Sequence, residues 1–319
     1  NLVRLTGRAG RPPRGSVQRG QEMAVLNVRI HEMLCAPDLA GALEAVDDTQ
    51  LTEWERSNVR LMREQVLLAQ AVPADLLARK LQQETRTEML WREARAANDF
   101  SRLAPELDTL FGLVRDYAAA RAAALNRTPY DALMAHYLPD MTAAEVDVIF
   151  DDLAGFLPGL MQKAVQRPQP QPLDGVFDPD RQKKAADFVA KSLGFGLGDW
   201  ARLDVSAHPF STGVGADVRI TTRFDEADFM SSLQATAHEV GHGFYNHHVP
   251  VEWQGQPVGI SGNMGMGIHE SQSLGLEMQM GRSLQYWQYL APRLAEIFGG
   301  KGAGWTGDNL YRYATRVRV

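Results

Sequence analysis

Four of the chain's eight histidines fall between positions 238 and 248, in the stretch HEVGHGFYNHH. Two of them, His238 and His242, stand four apart, with Glu239 directly after the first. On an α-helix that spacing turns about 40° beyond one full turn, so both imidazoles leave one face, a turn apart. Two imidazoles so placed suit two corners of a tetrahedral zinc site, and the adjacent carboxylate can take a proton from a water there. Ala235, Thr236 and Ala237 lead into the helix this requires, Phe244 and Tyr245 follow, and Pro250 stops it. HExxH also recurs by chance in helices that bind nothing, so the reading needs a third ligand.

Two segments compete for that place. His248 lies ten positions after His238 (248 − 238), the spacing of the extended HExxHxxGxxH pattern. A glycine in that pattern lets the chain leave the helix and swing the third histidine back; here the position is Tyr245. If the helix continues, His248 points about 80° and His247 about 180° away from His238, and both miss the metal. The other candidate is Glu270 in GIHESQSLGLEMQ (267–279), 28 positions after His242 (270 − 242) and inside a run of good helix formers. A connection containing Pro250, Gly255, Pro257, Gly259, Gly262, Gly265 and Gly267 separates the two helices. Two histidines from one helix and a glutamate from the next give the His₂Glu set of catalytic zinc sites, with a fourth position left for water. Glu270 is the expected third ligand, and Glu277, seven positions on along the same face, is the next candidate.

The elements that must hold these residues are mostly helical. LTEWERSNVRLMREQVLLAQ (51–70) places Leu51, Trp54, Val59, Met62, Val66 and Leu67 near helical spacing with charges between. Helices are expected at about 51–70, 74–97, 103–125, 180–193 and 228–248, with Asn126 and Pro129 ending the third. Thr142 and Glu145 have the spacing of a capping box for a further helix. In GADVRITTRF (215–224), Val218 and Ile220 alternate with Asp217, Arg219 and Thr221, the signature of a strand with one apolar face. Strand is expected mainly within 204–224. The fold class is therefore mainly α, with a small antiparallel sheet beside the histidines. Residues 1–319 read as one domain, a helical scaffold over about 21–200 followed by the site region over about 204–285. The Pro-rich QRPQPQPLDG (166–175) is either a linker or a surface crossing within that domain.

Composition narrows the function. An apolar fraction of 45% and a charged fraction of 23% suit a soluble globular chain. A net charge of −6 argues against nucleic acid as an obligatory partner, which needs concentrated basic surface. No apolar run approaches the roughly 20 residues that span a bilayer, so no membrane partner is expected. The one cysteine, Cys35, cannot close an internal disulfide and fits a reducing, cytoplasmic location. The Arg-rich, acid-free first twenty residues read as a fragment boundary or exposed loop rather than a targeting signal.

In order along the chain stand His208-Pro209-Phe210, the DxRxT strand as Asp217, Arg219 and Thr221, HExxH as His238 to His242, and HES as His269, Glu270 and Ser271. With this set of motifs the chain resembles the Taq-type (thermostable) metallocarboxypeptidases over nearly its whole length. The resemblance implies a saddle-like helical peptidase fold with a deep groove, usually homodimeric, that removes single residues from peptide C-termini. It implies zinc (or cobalt) on His238, His242 and Glu270, with Glu239 activating water and His269 near the substrate. RVRV (316–319) resembles the opening of the family's IRxxAD motif, with Arg318 at its arginine, and the later GxxQDxHW motif is absent. The chain is thus expected to be a fragment lacking a C-terminal part.

A carboxypeptidase must also grip a free carboxylate, which calls for a cation. Arg219 and Arg318 are the candidates, although Arg219 reads first as a structural partner of Asp217 or another acid, and His208 first as a structural hydrogen-bonding residue. Two other functions stay open: an endopeptidase or oligopeptidase with the same zinc chemistry, and a metal-binding fragment without catalysis. A purely structural zinc site has no use for Glu239.

Overall fold

The computed structural model describes residues 16–173, 175–206, 208–214, 216–260 and 263–317. The Arg-rich start up to residue 15 and Arg318 lie outside them. The chain divides into two compact units, one running to Ala144 and including Gln256–Gly265, the other Glu145–Gly255 with Met266 onward.

The first unit is helical: α1 Ser16–Leu34, α2 Pro37–Glu44, α3 Glu53–Ala71, α4 Ala74–Ala97, α5 Phe100–Leu125 and α6 Pro129–Met134. The sequence pattern placed α3 to α5 within a few residues. A capping box sets the start of α3: the Thr52 N–H donates to Glu55 Oε2 at 2.8 Å and the Glu55 N–H to Thr52 Oγ1 at 3.4 Å. Asn98 (φ 52°) and Asn126 (φ 51°) close α4 and α5 in the left-handed conformation that asparagine tolerates. α4 packs along α5, burying Leu76, Ala94, Leu103 and Ala118. Asn58 ties in the 256–265 segment, donating to Gln256 Oε1 at 3.2 Å and accepting from the Val258 N–H at 3.0 Å.

The second unit carries the histidines. It contains α7 Ala143–Val165, most of which lies in this unit, then α8 Pro179–Ser192, strands β1 Ala201–Val205, β2 Ser211–Val214 and β3 Asp217–Thr222, and α9 Phe229–His247. After α9 come α10 Met266–Leu274, a π-helical turn over Gly275–Met280, α11 Leu284–Phe298 and α12 Gly307–Thr315. The Pro-rich stretch is a crossing within this unit. Its Gln171 N–H donates to Asn309 Oδ1 at 2.7 Å and its Leu173 N–H to the Tyr313 hydroxyl at 3.0 Å.

The sheet order is β1-β3-β2. β2 pairs antiparallel with β3, but β1 pairs with β3 in parallel, so the sheet is mixed rather than antiparallel. The chain reverses between β1 and β2 and again between β2 and β3, and β3 settles between the two. Alternation along a strand tells which face is buried, not which way its neighbours run. Val218 and Ile220 are fully buried, as the alternation requires. Thr221, expected on the polar face, is buried as well, because its hydroxyl is spent on Ser206 Oγ at 2.8 Å and the Phe210 N–H at 3.0 Å. Phe195, Phe229, Trp287, Leu290, Leu294 and Leu310 join Val218 and Ile220 in the core against which α9 is fixed.

Candidate metal centre

α9 begins at Asp228, whose carboxylate accepts from the Met230 N–H at 3.1 Å and the Ser231 N–H at 3.3 Å. Phe229, Met230, Leu233, Ala237 and Val240 bury one face of the helix in the core. His238, Glu239 and His242 therefore sit on a rigid element. α10 and the π turn run antiparallel along the same helix: residue 269 lies against 242, residues 272 and 273 against 241, and residue 277 against 238.

Gly241 makes this approach possible. A β-carbon there would stand 2.5 Å from Ser273 Cα and collide with the Gln272 carbonyl as well. Gly241→Ala should force the helix carrying Glu270 outward, at a cost on the order of 1–3 kcal/mol for overpacking. Its zinc affinity should fall at least about tenfold while the helix content by circular dichroism stays unchanged. An unaltered zinc titration would remove this role from Gly241.

The close approach brings three donors together. Glu270 places Oε1 3.5 Å from His238 Nε2 and Oε2 3.2 Å from His242 Nε2. One ligand atom from each of the three residues lies within 4.8 Å of the others. Two imidazole nitrogens and a carboxylate oxygen are the donor set that suits a catalytic divalent metal. Glu239 is buried beside them, 6% exposed, and its Oε2 has no hydrogen-bond partner. An unpaired buried carboxylate oxygen is costly unless something at the site uses it.

Each histidine is also held from behind. His238 Nδ1 lies 2.8 Å from Glu277 Oε2, and Arg282 donates to the other Glu277 oxygen at 3.3 Å. His242 Nδ1 lies 2.5 Å from His269 Nδ1, and His269 Nε2 lies 3.3 Å from Asn246 Oδ1. The π turn supplies Glu277, a common use of such irregular turns at functional sites.

Charge follows this layout. Burial drives the Glu239 carboxyl up to about 7, the charge of Glu270 adds to the rise, and His238 opposes it. The Glu277 hydrogen bond raises His238, and the same contact lowers Glu277. Burial depresses His242 and takes His269 down to about 4.

The other residues singled out in the sequence make different contacts. Arg219 gives Nε and Nη2 to Asp217 at 2.9 and 2.7 Å, the structural pairing weighed for it. His208 is exposed, with its carbonyl accepting from Ser206 Oγ. His248 is exposed at the end of α9 with its ring stacked on Phe244, and His247 stacks on Trp200 at 3.6 Å between centroids. His269 is 4% exposed behind His242. Sequence reasoning missed Asn246 altogether, although it stands four after His242 on the same helix face. It also left Glu277 as a spare ligand rather than a partner of His238.

Residues 4–319 match the family described as Carboxypeptidase Taq (M32) metallopeptidase. The chain is 32% identical over 313 residues to thermostable carboxypeptidase 1 of Pyrococcus furiosus, covering 96% of this chain and 62% of that protein. With thermostable carboxypeptidase 1 of Thermus thermophilus the identity is 33% over 307 residues, covering 91% and 59%. Among solved structures, Trypanosoma cruzi metallocarboxypeptidase 1 superposes with a TM-score of 0.86 at 34% identity, covering all of this chain and 64% of that one. The chain thus spans about three-fifths of the length of the curated relatives it matches. A family match over nearly every residue, carried by the same fold, places the chain in the Carboxypeptidase Taq (M32) metallopeptidase family.

Proposed function

We propose that this chain carries the catalytic centre of a zinc metallocarboxypeptidase that releases single residues from the C-termini of peptides. The observation that carries the reading is the convergence of His238, His242 and Glu270 with a buried, unpartnered Glu239 oxygen beside them. The names of the relatives, carboxypeptidases in each case, support the reaction class.

His238, His242 and Glu270 would hold the metal. When bound, a divalent zinc ion supplies Lewis acidity, polarising a carbonyl and easing the loss of a proton from water. The remaining work falls to the chain. Glu239 accepts the proton of the attacking water and passes it to the leaving amine, so that one carboxylate serves as base and then as acid. Burial of Glu239 and His242 keeps competing solvent from these proton transfers. Cobalt fits the same donors. The cytoplasmic location and the homodimer remain part of this proposal, and no described helix is long and apolar enough to cross a membrane.

The test is turnover of matched peptides with free and amidated C-termini by the zinc-loaded chain, with products weighed by mass spectrometry. Loss of one residue from the free acid only is the expected result. Internal cleavage of both peptides would establish the endopeptidase reading instead. Zinc binding without turnover of either peptide would establish a metal-binding chain without catalysis.

A further inference from the structure

Arg121 and Tyr117 stand one turn apart on α5, and Arg121 is only 8% exposed. A guanidinium this deep in a fold is ordinarily met by a carboxylate, because a desolvated charge without a counter-ion is costly. Here none meets it. Among the described residues Arg121 makes no ion pair: its Nη1 donates to the Tyr117 hydroxyl at 2.8 Å, and its Nε is buried without a partner. The Tyr117 ring, its centroid 5.4 Å from Arg121 Cζ, attracts the charge without neutralising it. The Tyr117 hydroxyl accepts in its bond with Arg121, so its own hydrogen is left to donate elsewhere.

Both residues line a cavity of about 240 Å³. All of its walls come from the first unit, and none from the helices that carry the metal ligands. Leu34 ends α1, Leu61 and Leu68 lie on α3, Val72 follows it and Leu77 belongs to the first turn of α4, so much of the wall is aliphatic. Glu64 is the one acid among the lining residues, and its ion pair, at 4.0 Å, is with Arg60. The space is far larger than one water needs, and aliphatic walls give several waters too few partners. Apolar cavities of about 150 Å³ accept a benzene ring, so a ring or branched chain with one charged group attached has room here.

We infer that this cavity is a binding site for a small organic carboxylate with an apolar body, the carboxylate held by Arg121 and the Tyr117 hydroxyl and the body packed against the leucines and Val72. Charge chooses the class. An unpaired guanidinium calls for an anion, and its planar set of donors suits a carboxylate. Glu64 on the same wall limits the ligand to one negative charge, since a second would meet it in a desolvated space. The aliphatic wall selects against inorganic anions, which would lose their hydration against it.

Calorimetric titration of the full chain with 4-methylpentanoate tests the assignment. The acid should bind, and acetate should bind about a hundredfold more weakly, at the usual free energy of a buried methylene for each carbon lost. The neutral 4-methylpentanol should bind at least about tenfold more weakly than the acid, the scale of a hydrogen bond to a charged group. Arg121→Met should weaken binding of the acid by at least as much. Leu68→Phe, which fills the cavity and keeps the charge, should abolish it. Without ligand, Arg121→Met should melt no lower than the parent chain, because an apolar side chain of similar length replaces an unpaired buried charge. Leucine separates two sources of the same chemistry. Binding tighter than that of 4-methylpentanoate would give its ammonium to Glu64 and make the occupant a free amino acid; weaker binding would make it a simple acid.

Equal binding of acid and alcohol, or binding left unchanged by Arg121→Met or Leu68→Phe, would overturn the inference. So would a lower melting point of ligand-free Arg121→Met, which would show the guanidinium to be structural. Binding that disappears when metal is removed would place the carboxylate at the metal centre and would also overturn it.

Discussion

Glu239→Gln should keep its metal and lose at least about a hundredfold in peptide turnover, the usual scale for removing a general base. The substitution is nearly isosteric and touches none of the three converging donors. What it removes is the capacity to accept a proton. Loss of metal in this variant would show Glu239 to be a ligand and would sink its assignment as the base.

The same variant makes a second, opposite prediction for stability in the metal-free chain. The folded Glu239 carboxyl lies near 7, well above its ordinary value of 4.5, because the folded site disfavours the ionised form. The folded chain therefore binds this proton more tightly than the unfolded one. Stability is unaffected below about pH 4.5 and falls as pH rises from there to about 7, by on the order of 3 kcal/mol. Glu239→Gln has no proton to lose. In chelator, the variant should melt above the parent chain at pH 8 and close to it at pH 4.5. A constant gap across that range would show that the buried carboxyl is not the source. Higher stability with lower turnover is the pattern expected of a strained catalytic group.

The site was legible in the sequence wherever a local rule fixed it. The four-residue spacing of His238 and His242 becomes geometry as soon as a helix forms, and Tyr245 in the releasing position turned attention from His248 to Glu270. The alternation around Val218 and Ile220 gave the buried face of β3 for the same reason. Long-range features were not legible. The parallel pairing of β1 with β3 depends on which strand settles in the middle, and periodicity says nothing about that. Asn246 looked like an ordinary polar residue near a helix end, because its meaning depends on a ring delivered by a different helix. Glu277 was legible as sharing the face of Glu270 but not as the partner of His238 Nδ1, because that contact depends on another helix. In each case the missing information was a contact between segments far apart in sequence.

Glu270→Ala, Glu277→Gln and His248→Ala should form a graded series in zinc affinity, and their order separates the ligand sets the chain could use. Glu270 faces both Nε2 atoms and supplies the one charged donor of the group, so its removal should cost more than about a hundredfold. Glu277 touches the far nitrogen of His238, and its amide keeps an acceptor there while losing charge. That change belongs in the range of about 10–100-fold found for outer partners. His248 is turned outward onto Phe244 and should matter less than about twofold. The measurement is zinc retained against a competing chelator at fixed pH, since protons compete for the same nitrogens. A His248→Ala loss as large as that of Glu270→Ala would restore the three-histidine arrangement and require the end of α9 to unwind. Equal losses for Glu270→Ala and Glu277→Gln would instead mean that the metal sits between the two glutamates, with His238 turned over to meet it.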